Sequence, residues 1–251
     1  MRWLVGWSSV AASFATTGGA RAGAANGPYG TGPAAHDAYA PHGTDRATAA
    51  EGRTVQPVGA QLLWDGPDPL WAVGDWRPDE VRVVAVDDRT HIAVLGCCAA
   101  GDDELRRGLL TARGGALRHL TAWPGSYTAV VKAGRRITVT GDLAGARPVF
   151  HTPWQGGTAY ATAALPLADL VEAQLDIGHL GALLACPETP EALRDSTPYE
   201  GVRRVPPGHA LILREGSREI TGYEQVASLA VATSSRPSST SATWAPCSPV
   251  P

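Results

Sequence analysis

Read for its apolar and polar positions, the chain alternates between short runs of β-type periodicity and two stretches of helical periodicity. Residues Arg2–Trp7 are rich in side chains that suit a pleated surface and predict a strand. From position 10 to about 60 the apolar periodicity vanishes into Ala, Gly and Thr with interspersed prolines, which predicts a long mobile loop. The chain turns apolar again at QLLWDG and LWAVGDW. VRVVAVDD and HIAVLGC then read as two buried strands around the turn Asp87, Asp88, Arg89. GDDELRRGLLTARGG predicts a helix with Asp102 or Asp103 as its cap, Leu105, Leu109 and Ala112 on one face, and Gly114 and Gly115 at its end. ALRHLTA predicts a second, short helix.

A hairpin follows, SYTAVV and RITVTG, in which Ile137 and Val139 alternate with polar residues across a turn at Ala133–Gly134. VFH and AYATAA predict a further pair around Gly156–Gly157, LPLADLVEA and IGHLGALLA two helices, and HALILR with EITGY a last hairpin over Glu215–Gly216. Strands and helices segregated in this way predict an α+β fold of packed layers, not a parallel doubly wound sheet. The domain so outlined runs over 1–225. Residues 226–251 are Ser/Pro-rich and aperiodic and are expected to form a disordered tail.

Composition narrows the function classes. With 251 residues and 44% hydrophobic side chains the chain can bury one good core. A net charge of −3 without a basic cluster gives no electrostatic reason to expect nucleic acid, and no apolar run is long enough to span a bilayer. The four cysteines and seven histidines lack ligand spacing, so no metal site is expected. Arg2 and the small residues of GGARAGA have the outline of a secretory signal, but Ser8, Ser9 and Ser13 interrupt its centre. The strand reading is preferred, and the protein is expected in the cytoplasm.

The most informative stretch is GDLAGARPVFHTPWQGGTAYATAALPLADL. Asp142, Gly145, Arg147, Pro148 and Phe150 follow the pattern of the RDPxGxRPLY turn of class II glutamine amidotransferase domains. Ala161–Leu165 with Leu170 is similar to their ASExKAL segment. YEGVRRVPPGHALIL with ITGYE resembles the close of the glutaminase half of asparagine synthetases, and HLTAWPGSYTAVV falls where that family has L..L.G.FAF. The resemblance is colinear over about 80–225. It implies an N-terminal-nucleophile fold, a four-layer αββα sandwich of two antiparallel sheets. Residue by residue, Asp142 can accept from backbone N–H groups, Gly145 can take φ > 0, and Pro148 fixes the exit into a strand, so these three read as turn architecture.

The departures matter as much. In working members a cysteine directly after the initiator Met attacks glutamine with its own α-amine as base. Here Arg2 stands at that position, and a guanidinium is no nucleophile. Ser8 and Ser9 read as strand-end serines. Where the family has NGEIYN, this chain has Leu95, Gly96, Cys97 and Cys98. Arg2, Leu95, Gly96 and Cys97 therefore outline a degenerate pocket, with Cys97 read as a small hydrophobe. The sequence contains no SGGLDS or other Gly-rich phosphate loop. The ATP-binding synthetase domain is thus expected to be absent, and ATP and Mg to act only through a missing or separate synthetase domain.

Lasso-peptide macrolactam synthetases depart from asparagine synthetase in a similar direction. They activate a peptide carboxyl and need no ammonia source. The resemblance then implies a degenerate glutaminase-like domain of an ATP-dependent amide ligase, truncated before its synthetase half and inactive alone, whose partners are a synthetase-domain protein or a precursor peptide. Two other readings stay open: an active amidotransferase with an unusual nucleophile, and a free-standing binding module on the same fold.

Overall fold

In a computed structural model, residues 2–8, 56–186 and 195–223 are described. The predicted tail, and the predicted loop up to residue 55, lie outside them.

The chain forms β1 (Trp3–Ser8), β2 (Ala60–Trp64), β3 (Leu70–Val73), β4 (Val81–Asp87) and β5 (Thr90–Cys98). Next come α1 (Asp102–Arg113), a 3₁₀ turn (Leu117–Leu120), β6 (Gly125–Ala133) and β7 (Arg136–Thr140). After these the order is β8 (Phe150–Trp154), β9 (Gly157–Ala161), α2 (Ala164–Val171), α3 (Ile177–Ala185), β10 (Arg203–Arg204), β11 (His209–Arg214) and β12 (Ser217–Gly222). Two six-stranded sheets result, one ordered β10-β8-β9-β1-β3-β2 and the other β12-β11-β7-β6-β5-β4. Their strand pairs are antiparallel.

Three cores separate the layers. Leu4, Leu70, Leu95, Val130, Tyr160 and Leu211 meet between the sheets. Leu105 and Leu109 of α1 bury the outer face of the β4–β7 side with Ile92, Val94 and Val131. Leu167 and Ala168 of α2 cover the other sheet over Val5, Trp7 and Ala159. The protein is an α+β sandwich in the layer order αββα.

Local chemistry explains the hairpins. Residues Gln155 and Gly156 take φ of 47° and 74°, the two left-handed positions of a tight turn that closes Trp154 onto Gly157. The ring of Trp154 meets Trp7 edge-on at 5.2 Å between centroids on the outer face.

Two sequence expectations need correction. The cap of α1 is Gly101, not Asp102 or Asp103. Glu104 Oε2 accepts the Gly101 N–H at 2.8 Å, so the helix starts one residue earlier, and the two aspartates enrich the first turn instead. The expected polar face of β7 does not exist either. Thr138 and Thr140 are as buried as Ile137 and Val139, because both faces of this central strand are covered and threonine tolerates such a site. Thr140 Oγ1 is satisfied by the Ala129 carbonyl at 3.3 Å.

Candidate functional site

At the end of the sandwich where β1 begins, the two sheets open into a cavity of about 360 Å³. Its polar wall is Arg2, Ser126, Thr128, Arg147 and Thr162, while Leu4, Leu95 and Trp76 supply apolar surface. The fold brings these residues together from six separate parts of the chain.

Arg2 stands at the head of β1 and is held on two sides. Its Nη1 is paired with Glu80 Oε2, and its guanidinium lies 5.3 Å from the centre of the Trp76 ring. Glu80 is itself fixed, since the same oxygen accepts the Arg77 N–H at 3.1 Å and the Glu80 carbonyl accepts the Gly96 N–H at 2.7 Å. Trp76 donates its indole N–H to the Val73 carbonyl at 3.0 Å. The Arg2 side chain is therefore a placed element of the wall.

Arg147 enters from the turn before β8. Asp142 Oδ1 accepts its backbone N–H at 2.9 Å, the Asp142 carbonyl accepts the Gly145 N–H at 3.3 Å, and Gly145 takes φ 73°. The Arg204 guanidinium ties this turn down by donating to the Gly145 carbonyl at 2.8 Å. Pro148 follows and lines the cavity. The Arg147 Nε donates to Ser126 Oγ at 3.1 Å, and no partner of its terminal nitrogens occurs among the described residues.

Gly96 makes this placement possible. Its φ is 122°, and a Cβ there would lie 2.5 Å from the Ser126 carbonyl oxygen and 3.1 Å from Arg147 Cζ. A larger residue would push both the strand and the guanidinium away.

The hydroxyls are oriented by the bonds they already make. Thr162 Oγ1 accepts the Leu4 N–H at 3.0 Å, and Ser126 Oγ accepts from Arg147. Each oxygen has spent a lone pair on the wall and keeps its own O–H to donate. Among the described residues no histidine or carboxylate lines the cavity, so the wall they form offers hydrogen-bond donors and no group suited to general-base work.

No protein-family model matches the chain, and no curated protein does. Among solved structures, glutamine phosphoribosylpyrophosphate amidotransferase from B. subtilis, in complex with ADP and GMP, is similar at 12% identity over 63% of this chain and 35% of that one, with a TM-score of 0.38. A structure described as the allosteric regulatory enzyme of purine biosynthesis is similar at 12% identity over 63% and 36%, with a TM-score of 0.39. The chain spans about a third of the length of either protein.

Of the residues singled out in sequence, Arg2 and Leu95 line the cavity and Gly96 abuts it through Arg147. Cys97 does not line it and is exposed, so it does not behave as a buried small hydrophobe, although β5 still pairs with β6 there through Cys97 and Ser126. Asp142, Gly145 and Pro148 form the turn that delivers Arg147.

Sequence reasoning missed Trp76, Ser126, Thr128, Arg147 and Thr162 as wall residues. Arg147 carried a usable signal, since it sits inside the family-like turn. The others are ordinary strand residues until the sheets are paired.

A larger and more open hollow, about 640 Å³, lies at the turns joining β4 to β5 and β6 to β7. Two of its arginines, Arg113 and Arg136, are engaged. Arg136 donates to the carbonyls of Ala112 and Arg113 at 3.0 and 2.9 Å, closing the end of α1, and Arg113 lies 3.9 Å from Asp87. The smaller cavity is the better-built site.

Proposed function

We propose that this domain is a glutaminase-like half that holds a ligand without cleaving it, within an ATP-dependent amide ligase of the asparagine-synthetase type, of the peptide-cyclising kind. The observation that carries the reading is Arg2. The position from which a nucleophile would be presented at the head of β1 holds a guanidinium, paired with Glu80 and set against Trp76. Among the described residues the wall offers no histidine or carboxylate, which is in keeping with this reading, because a serine or threonine hydroxyl needs a base to attack an amide.

On this reading ATP and Mg are bound by a separate synthetase domain. The domain acts in the cytoplasm by scaffolding that partner or positioning a precursor peptide. Two measurements test it. Purified protein incubated with glutamine should release ammonia no faster than buffer, and turnover above that level overturns the reading. Co-purification with a synthetase-domain protein encoded beside it should be recovered. If that protein passes through unbound, the ligase assignment is lost and a free-standing binding module takes its place.

A further inference from the structure

We infer that the cavity at the head of β1 is a binding site for a small monocarboxylate, an anion that carries an apolar body of a few carbons. The inference rests on the reading above that the pocket holds its ligand intact.

The donor inventory points to an anion. Thr162 and Ser126 each accept a bond from the wall, at 3.0 and 3.1 Å, so their free O–H groups face a ligand as donors. Arg147 has spent Nε on Ser126 and keeps its terminal N–H groups. These groups surround one volume, and Thr128 adds a third hydroxyl to its wall. A ligand bringing acceptors fits them, and one bringing more donors leaves them unpaired.

Charge selects a single negative charge. Glu80 offsets Arg2, and the Asp142 carboxylate is engaged by the Arg147 backbone N–H on the turn side of the residue. Among the described residues the Arg147 guanidinium is left on the cavity wall with its fork open, which suits two carboxylate oxygens. A phosphate dianion would bring a second charge without a matching cation.

The remaining wall selects the body. Leu4 and Leu95 form apolar surface next to the donors, and the Trp76 ring closes one side. About 360 Å³ holds a short aliphatic chain with its headgroup and some water.

The test is a two-dimensional ¹H–¹⁵N NMR titration of the full chain with sodium butyrate, sodium phosphate and butylammonium chloride. Butyrate should give saturable shifts at the Trp76 indole and the Ser126 and Thr162 amides in the range of about 1–10 mM. Phosphate should bind at least about tenfold more weakly, and butylammonium should leave these signals unmoved. Arg147→Gln should weaken butyrate about tenfold or more. Ser126→Ala, which leaves the charged turn untouched, should weaken it several-fold and serves if the first variant does not fold.

No saturable shift with butyrate overturns the inference. So does phosphate binding as tight as butyrate, or unchanged affinity in a folded Arg147→Gln or Ser126→Ala protein. The two readings fail separately. Release of ammonia from glutamine would sink the non-cleaving function while butyrate still bound, whereas silence towards both glutamine and butyrate would remove the ligand and leave the inactive scaffold.

Discussion

The space between the two sheets is one continuous layer, yet its open end and its middle treat polar groups in opposite ways. At the open end each hydroxyl or cation of the wall that has a bond is held by a short one: Arg2 to Glu80, Arg147 to Ser126, Thr162 to the Leu4 N–H. In the middle, on the same strands β1 and β9 and on β8 beside them, polar atoms are packed first and bonded second. Tyr160 is fully buried and its Oη has no partner among the described residues, nor has the buried His151 Nε2. Lys132, the only lysine of the chain, reaches the carbonyls of Asp65 and Asp68 at 3.4 Å each, and burial holds its ammonium below the usual lysine range. The open end fixes its polar groups where solvent and ligand can enter, and in the interior large aromatic packing outweighs the cost of Tyr160 Oη and His151 Nε2.

The sharpest way to break the interior is Gly6→Ala. Tyr160 lies across Gly6 in the β1–β9 pair, and an added Cβ would sit 2.5 Å from Tyr160 Oη, 2.6 Å from Cζ and 2.9 Å from the Pro69 carbonyl oxygen. Two of these three atoms remain if the hydroxyl is removed. The variant should lose about 3 kcal/mol in urea unfolding, and Tyr160→Phe should not rescue it. Rescue by phenylalanine would mean that only the hydroxyl stands in the way.

A second break uses pH. Burial, then the Arg218 charge, push His151 down to about 4, against an opposing pull from Asp195 and with a smaller push from Arg203. Arg218 Nη1 lies 3.2 Å from its Nδ1 and donates to the neutral ring. The unfolded chain takes up this proton near pH 6.5 and the folded one only near pH 4. Stability is therefore intact above about pH 6.5 and falls as pH drops from there towards 4, by about 3 kcal/mol at most. Unfolding midpoints measured across that window should show the slope, and His151→Leu should flatten it. An unchanged slope in that variant would place the titration elsewhere.

How much of this was legible follows the range of the interaction. The hairpins over Gly134, Gly156 and Gly216 and the face of α1 are local, and alternation or turn chemistry announces them. β10 is two residues long and has no period to read. Thr138 and Thr140 look polar until a second layer covers them. The open end depends on pairing across the whole chain: Ser126 and Thr162 lie 21 and 158 residues from their partners Arg147 and Leu4. Arg2 was visible as an oddity at the front of a strand, but its pairing with Glu80, 78 residues away, was not. Cys97 was misplaced because strand parity does not say which paired positions a neighbouring layer covers.

The open end can be probed through a hydroxyl. Thr162 Oγ1 extends the sheet's hydrogen bonding by one step, accepting the Leu4 N–H while its own N–H donates to the Leu4 carbonyl at 3.2 Å. Thr162→Val keeps shape and removes the acceptor, leaving the N–H of a buried leucine unpaired. A loss of about 1.5 kcal/mol is expected, with Thr162→Ser close to the parent. If the valine variant unfolds at the parental midpoint, the bond does not hold the head of β1.

The same deletion in the interior should have the opposite sign, which is the finest test of the contrast. Tyr160 carries its hydroxyl into the core without a partner among the described residues, and burial pushes the phenol far above its ordinary range, with the Asp68 carboxylate adding to it. Removing one oxygen from an unpaired site removes a desolvation cost and leaves the ring's contacts with Leu4, Leu70 and Leu211 in place. Tyr160→Phe should therefore gain about 1 kcal/mol, read as a higher urea midpoint at an unchanged slope. The gain is limited by the small void where the oxygen was, lined by Gly6 and the Pro69 carbonyl. A loss of similar size would show that the hydroxyl is bonded in solution, and the middle of the sandwich would then obey the same rule as its mouth.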